Sequence, residues 1–169
     1  GKKSFQTISD ALTVLENMEH RGACGCESNT GDGAGIMIQT PHDFFVEESA
    51  KLGVTLPEFG KYGVAVIFFP KEHHAYEESK RLFIKCADEL NLKILCYRKV
   101  PVDDAEVGFT ALSVEPQMEQ VFIKCPNHIH DADEFERKLF VLRNYASHLI
   151  NKTIGKNDIG FYIASLSSK

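Results

Sequence analysis

The run Tyr62-Gly63-Val64-Ala65-Val66-Ile67-Phe68-Phe69, closed by Pro70, constrains the fold of this chain more than any other stretch. It is uncharged, apolar and rich in β-branched and aromatic residues, so it predicts a buried strand. Long amphipathic segments follow it. From Glu72 to Leu90, the residues Ala75, Leu82, Phe83, Cys86, Ala87 and Leu90 share one helical face, while Glu77, Glu78, Lys80, Lys85 and Glu89 cover the other. Asp131 to Lys152 predicts a further helix, with Phe135, Leu139, Leu142, Ala146 and Leu149 at spacings of three or four and Asp131 with Glu134 as cap partners.

The remaining chain alternates in the same way. Thr7 to Glu19 places Ile8, Ala11, Leu12, Leu15 and Met18 at helical spacing, which predicts a helix capped by Thr7 with its stripe facing a sheet. A loop holding Ser28, Asn29 and Thr30 leads to a predicted strand over Gly35 to Gln39. Thr40 then reads as the cap of a short helix with Pro41 in its first turn, stopped by Gly53. Later strands are predicted over Leu92 to Val102, Gln120 to Cys125 and Ile159 to Leu166, with a short turn or helix around Ala111. Strands interleaved with long helices point to layered α/β or α+β packing.

At 169 residues and 43% hydrophobic content, the chain has material for one core, and a single domain is expected. A net charge of −5 with no basic stripe disfavours a nucleic-acid partner. The apolar runs fall short of the roughly 20 residues a membrane helix needs. No charged-then-apolar signal segment opens the chain, so a cytoplasmic or organellar-matrix location is expected. Five cysteines, an odd number at irregular spacing, argue for reduced thiols.

Chemistry concentrates in two linked stretches, Asn17-Met18-Glu19-His20-Arg21-Gly22-Ala23 and Gly31-Asp32-Gly33-Ala34-Gly35-Ile36. Arg21 can lend positive charge to an anionic or thiolate centre, or it can simply favour the end of the preceding helix; spacing alone leans to the second. The Gly31 to Gly35 segment lacks the lysine of a P-loop and precedes an apolar run, which argues against phosphate binding. Cys24 with Cys26, and Cys125 with His128 and His130, invite a metal reading, but neither set has zinc-site spacing and no metal is expected. Cys86 and Cys96 sit in apolar patterns and read as core, and His73, His74 and His148 as surface.

Those stretches, with Pro41-His42-Asp43-Phe44-Phe45, Glu115-Pro116, Glu119-Gln120-Val121-Phe122-Ile123 and Phe161-Tyr162-Ile163-Ala164-Ser165-Leu166-Ser167-Ser168, give the chain its resemblance to a known family. It resembles the amino-terminal glutaminase domain of the glutamate synthases, a branch of the class II glutamine amidotransferases. The resemblance covers essentially the whole chain. It implies an α+β fold of the N-terminal-nucleophile hydrolase type, a four-layer αββα sandwich, here incomplete, and hydrolysis of glutamine to glutamate and ammonia. The ammonia would pass to 2-oxoglutarate at a distant site with FMN and an iron–sulfur cluster, neither of them held by this chain. Implied partners are glutamine, the remaining domains of the synthase, and a reductase subunit or ferredoxin.

The same resemblance implies a nucleophile that is an amino-terminal cysteine using its own amine as base. No cysteine precedes Cys24, so the nucleophile is expected upstream of Gly1 and the isolated chain is expected to be an inactive internal piece. The family's second substrate-binding arginine, oxyanion donors and amine-binding acid have no counterpart here. The residues carried over as active-site support are Arg21, Gly22, Asp32 and Gly33, with Asp32 orienting Arg21 through a charge-assisted hydrogen bond. Two other readings stand beside this one: an amidotransferase-like binding or regulatory module without catalysis, and a metal-binding protein using Cys125, His128 and His130.

Overall fold

A computed structural model describes residues 4–22, 27, 30–31, 33–155 and 160–169. They fall into two compact units, one comprising residues up to Gln39 with Val102–Val114, the other Thr40–Pro101 with Glu115–Lys169.

The second unit is built on four strands: β1 (Tyr62–Phe69), β2 (Lys93–Lys99), β3 (Gln117–Lys124) and β4 (Tyr162–Ser167). They form one sheet in the order β2-β3-β1-β4, with each neighbouring pair antiparallel. Helix α3 (His73–Glu89) connects β1 to β2, and α5 (Ala132–Ile154) connects β3 to β4. The two β-α-β crossings interleave, so β3 is inserted between β1 and β2; this is a split β-α-β topology. The mixed architecture is α+β, one of the two packings that the sequence pattern predicts, and is compatible with the N-terminal-nucleophile type that the resemblance implies.

β1 alternates strictly between two cores. Ala65, Ile67 and Phe69 face the α3 and α5 side, where they meet Leu82, Phe83, Cys86, Val121, Ile123, Phe135, Leu139, Leu142 and Ala146. Tyr62 and Val64 face the opposite side with Phe122 and with Phe45 of α2 (His42–Lys51). The Phe45 and Phe122 rings pack edge to face with centroids 5.1 Å apart. Polar side chains then pin α2 to the sheet. Arg98 donates from Nε and Nη2 to Glu48 Oε2 at 2.9 and 2.6 Å and from Nη1 to Gln120 Oε1 at 2.9 Å.

Caps depart from the predicted positions in instructive ways. α1 (Phe5–Asn17), in the first unit, is capped by Ser4, whose Oγ accepts from Thr7 N at 3.3 Å. Thr7 already lies inside the helix, and a cap must have extended backbone, as Ser4 does. Thr40 does not cap α2 either; it is buried and donates through Oγ1 to Lys169 O at 2.7 Å, leaving Pro41 in the cap position. At α5, Asp131 accepts from Asp133 N instead of pairing with Glu134. The helix ends at Gly155, whose φ of 87° is one that side-chain-bearing residues rarely adopt.

Two predicted features do not form. Residues 35–39 make no strand, and Ile36, Met37 and Ile38 are exposed. A short apolar run becomes a strand only beside a ladder partner, which the local pattern cannot specify. α1 buries none of its residues; Ile8, Ala11 and Leu15 are half-buried. The predicted start of the last strand at Ile159 lies outside the described residues.

Gly63 is where the core is tightest. A Cβ added there would lie 2.6 Å from Leu139 Cδ1 and 3.4 Å from Ser167 O, so β1 passes α5 only as bare backbone. We expect Leu139→Ala to lower unfolding free energy by about 3 kcal/mol and Gly63→Ala by about 2 kcal/mol, read by chemical denaturation. Combining the two should restore part of the loss, because the cavity left by Leu139 accepts the new methyl. A double variant at the sum of the singles would overturn this account.

Candidate functional site

The residues singled out from sequence lie in the first unit. α1 ends in a 3₁₀ turn, Glu19–Arg21, in which Arg21 N donates to Met18 O at 2.9 Å and Gly22 N to Glu19 O at 2.9 Å. A Cβ at Gly22 would sit 3.3 Å from Glu19 O, so the small residue lets the turn close tightly. The turn leaves Arg21 exposed, and among the described residues its guanidinium forms no ion pair. Asp32, its predicted partner, lies outside the described residues, as do Cys24 and Cys26. Gly33 and Gly35 are described and exposed, and no described atom comes within 4 Å of a Cβ built at either.

Between Gly22 and Gly33 the structure brings in residues that sequence reading passed over. Glu27 Oε1 accepts from Thr110 N at 2.8 Å, and Thr30 Oγ1 accepts from Gly108 N at 3.0 Å while donating to Glu27 Oε2 at 3.4 Å. Both amides belong to the start of α4 (Phe109–Ser113), whose cap residue Gly108 has no side chain of its own. The Thr110 N–H is the main reason that the Glu27 carboxyl is held below its ordinary value. No local signal marks this pairing, because Glu27 and Thr110 are 83 positions apart.

The other predicted candidates fall elsewhere. Cys86 and Cys125 are buried and Cys96 is half-buried, and burial pushes all three thiols up. Cys125 Sγ points to the carbonyls of Pro126 and Ile129, at 3.7 and 3.8 Å, while His128 and His130 are exposed. His73, His74 and His148 are also exposed. Two open clefts, of about 630 Å³ along β2 and about 610 Å³ beside the last turns of α5, are lined by second-unit residues and by none of the expected site residues.

A family profile described as glutamine amidotransferases class-II matches residues 1–169. The chain belongs to the class-II glutamine amidotransferases. It is 40% identical to the NADH glutamate synthase of Schizosaccharomyces pombe over 98% of its own length, and 34% identical to the large chain of the Bacillus subtilis NADPH glutamate synthase over 100%. It is 32% identical over 98% to the chloroplastic ferredoxin-dependent glutamate synthase of Oryza sativa. It spans 8%, 11% and 10% of those three relatives respectively. Among solved structures, the C-terminal domain of MgtC from Mycobacterium tuberculosis aligns at 15% identity and a TM-score of 0.36, over 66% of this chain and 88% of that one.

The amidotransferase chain carries a further concentration of titratable groups in its second unit. Lys80 donates to Tyr76 Oη at 2.8 Å and to Glu119 Oε2 at 3.0 Å, and Tyr76 donates to Glu119 Oε1 at 2.5 Å. The Lys80 ammonium lies 4.2 Å from the centroid of the Tyr97 ring. Burial pulls Lys80 down, but its bonds to Tyr76 and Glu119 more than offset this and the net direction is up. Burial pushes Tyr76 up, helped by Glu119, and pushes Tyr97 far up. No predicted site residue touches this cluster, and its role is to fix α3 to β2 and β3.

All three folded values are raised, so the cluster's contribution to stability is fully present below the unfolded values and is lost as pH rises through the folded ones. Unfolding free energy is expected to be insensitive to these groups near neutrality and to fall above about pH 10. Ultraviolet absorbance should show one tyrosine ionising well after the rest, and Tyr97→Phe should remove that late step. A late step that survives Tyr97→Phe would contradict the assignment.

Proposed function

We propose that this chain belongs to the glutaminase domain of a glutamate synthase, in which the amide of glutamine is hydrolysed to glutamate and ammonia and the ammonia is consumed with 2-oxoglutarate. The observation that carries the reading is its likeness, over nearly its whole length, to relatives that are glutamate synthases. The exposed Arg21 on its tight turn is consistent with a role beside a reacting group. Its guanidinium stays charged at any working pH and presents a rigid fork of donors. In this proposal Arg21 supports the nucleophile's surroundings, Asp32 orients it, and Gly22 and Gly33 keep side chains away from the backbone on either side.

Cys86, Cys96 and Cys125 are poor nucleophiles, since an activated cysteine has a depressed thiol value and theirs are raised. The proposal assigns attack, as the family resemblance implies, to an amino-terminal cysteine with its own amine as base, a role that Cys24 and Cys26, having no free amine, do not fill. FMN and an iron–sulfur cluster, which would supply the reduction, are assigned to other regions of the protein. Among the described residues no group of three or more His, Cys, Asp or Glu side chains is arranged to hold a metal. The electron donor, whether NADH, NADPH or ferredoxin, is likewise assigned to the rest of the protein.

The full-length protein treated with diazo-oxo-norleucine and mapped by peptide mass spectrometry is expected to carry its adduct on an amino-terminal cysteine. An adduct on Cys24 or Cys26, or none, would overturn the proposal, and none would favour a non-catalytic amidotransferase-like module. Arg21→Lys in the same protein is expected to lower kcat/KM for glutamine hydrolysis about 10- to 100-fold, the range of one charge-assisted hydrogen bond. Unchanged hydrolysis would remove Arg21 from the site.

A further inference from the structure

We propose that the outer edge of β2 is a docking site for an extended segment of a partner protein, apolar at its centre and carrying a carboxylate at each end, which adds to the sheet as a fifth strand. This goes beyond the glutaminase reading and does not depend on it. β2 stands at the end of the order β2-β3-β1-β4, so one of its edges faces β3 and the other has no strand beside it among the described residues. That free edge borders an open cleft of about 630 Å³, with Ile84 and Asp88 of α3 on one wall and Leu92, Ile94 and Tyr97 among the residues of the other.

The phase of the ladder fixes which backbone groups point outward. Val100 N donates to Met118 O at 2.9 Å, and bonded pairs in an antiparallel ladder recur at every second residue. In the register Arg98↔Gln120 and Lys99↔Glu119, Arg98 therefore turns its amide and carbonyl to β3, while Tyr97 and Lys99 turn theirs to the free edge. Unpaired groups of this kind are a template for a further strand. Where a groove adjoins such an edge, an extended segment bonds through its main chain and lays alternate side chains in the groove. Here they would lie beside Ile84, whose side chain is exposed on α3.

Charge selects the occupant. β2 reads Lys93-Ile94-Leu95-Cys96-Tyr97-Arg98-Lys99, three cations and no anion, in a chain of net charge −5. Arg98 is taken by Glu48 and Gln120, whereas Lys93 and Lys99 are exposed at the two ends of the strand and form no ion pair among the described residues. Lysines on an edge strand guard it against indiscriminate pairing, and their placement here makes the guard selective. A second copy pairing antiparallel along the whole strand would set Lys93 opposite Lys99 of that copy at both ends, and like charges directly opposite are destabilising. A strand with acidic ends meets an opposite charge at each. The α3 wall, with apolar Ile84 and anionic Asp88, favours an uncharged apolar stretch between them.

The test uses the full-length protein and two fluorescein-labelled peptides, EVTVTVE and its charge-reversed counterpart KVTVTVK, with binding read by fluorescence anisotropy. The acidic peptide is expected to bind at least about tenfold more tightly, and Lys93→Glu combined with Lys99→Glu to reverse the preference. Both substitutions are on exposed side chains, and an unchanged melting temperature would show the double variant folded. Hydrogen exchange resolved to single amides should slow at Tyr97 and Lys99 on binding and stay unchanged at Arg98. Methylating the backbone nitrogens of either the valines or the threonines of the acidic peptide should abolish binding in one case only, because a strand bonds its neighbour through alternate residues. Absence of binding, equal binding of the two peptides, or unchanged exchange at Tyr97 and Lys99 would overturn the proposal. Binding that survives both methylations, or is lost in both, would overturn strand addition. Slow exchange at Tyr97 and Lys99 before any peptide is added would also overturn it, assigning the edge to a second copy if the slowing grows with protein concentration and to the protein's own chain if it does not.

Discussion

β1 cannot be exposed on either face, and the rest of the second unit is arranged around that requirement. Ala65, Ile67 and Phe69 demand cover on one side and Tyr62 and Val64 on the other, since successive side chains of a strand point to opposite faces. The two long helices supply the first cover and α2 part of the second. Pairing satisfies the backbone along the strand's length, with β3 on one edge and β4 on the other. Gly63 lets α5 come down onto this strand, so the position with no side chain sets the distance between the layers.

Charged groups in this unit appear where layers have to be held in register. Arg98 with Glu48 and Gln120 fastens α2 to one face; Lys80 with Glu119 and Tyr76 fastens α3 to the other. Ser168 closes the end of β4 by donating from its amide and hydroxyl to Glu136 Oε1 of α5, at 2.7 and 2.5 Å. A buried ion pair adds little net stability over a well-packed apolar substitute, because desolvation offsets most of the attraction. A slipped strand would leave one of these partly buried charges without its partner, which is costly.

The first unit is put together on different terms. α1 buries no side chain, and among the described residues two polar long-range bonds, Thr110 N to Glu27 and Gly108 N to Thr30, tie the loop after it to α4. Glu27 and Thr30 do for α4 what an adjacent cap residue does for an ordinary helix, from a distant part of the chain. The proposal for Arg21 concerns this unit.

Sequence alone determined the elements whose signal is periodic. The buried run of β1, the faces of α3 and α5 and the core placement of Cys86 were legible, because burial imposes spacings of two or about three and a half on the residues themselves. The tertiary structure decided what periodicity does not encode. Residues 35–39 have strand-like composition but no ladder, and Thr40 has cap chemistry but binds Lys169 O, because hydrogen-bond partners are chosen by proximity in space. Glu27 carried no mark in the sequence; only the fold brings Gly108 and Thr110 to its carboxylate, and a contact across that separation leaves no local pattern to read.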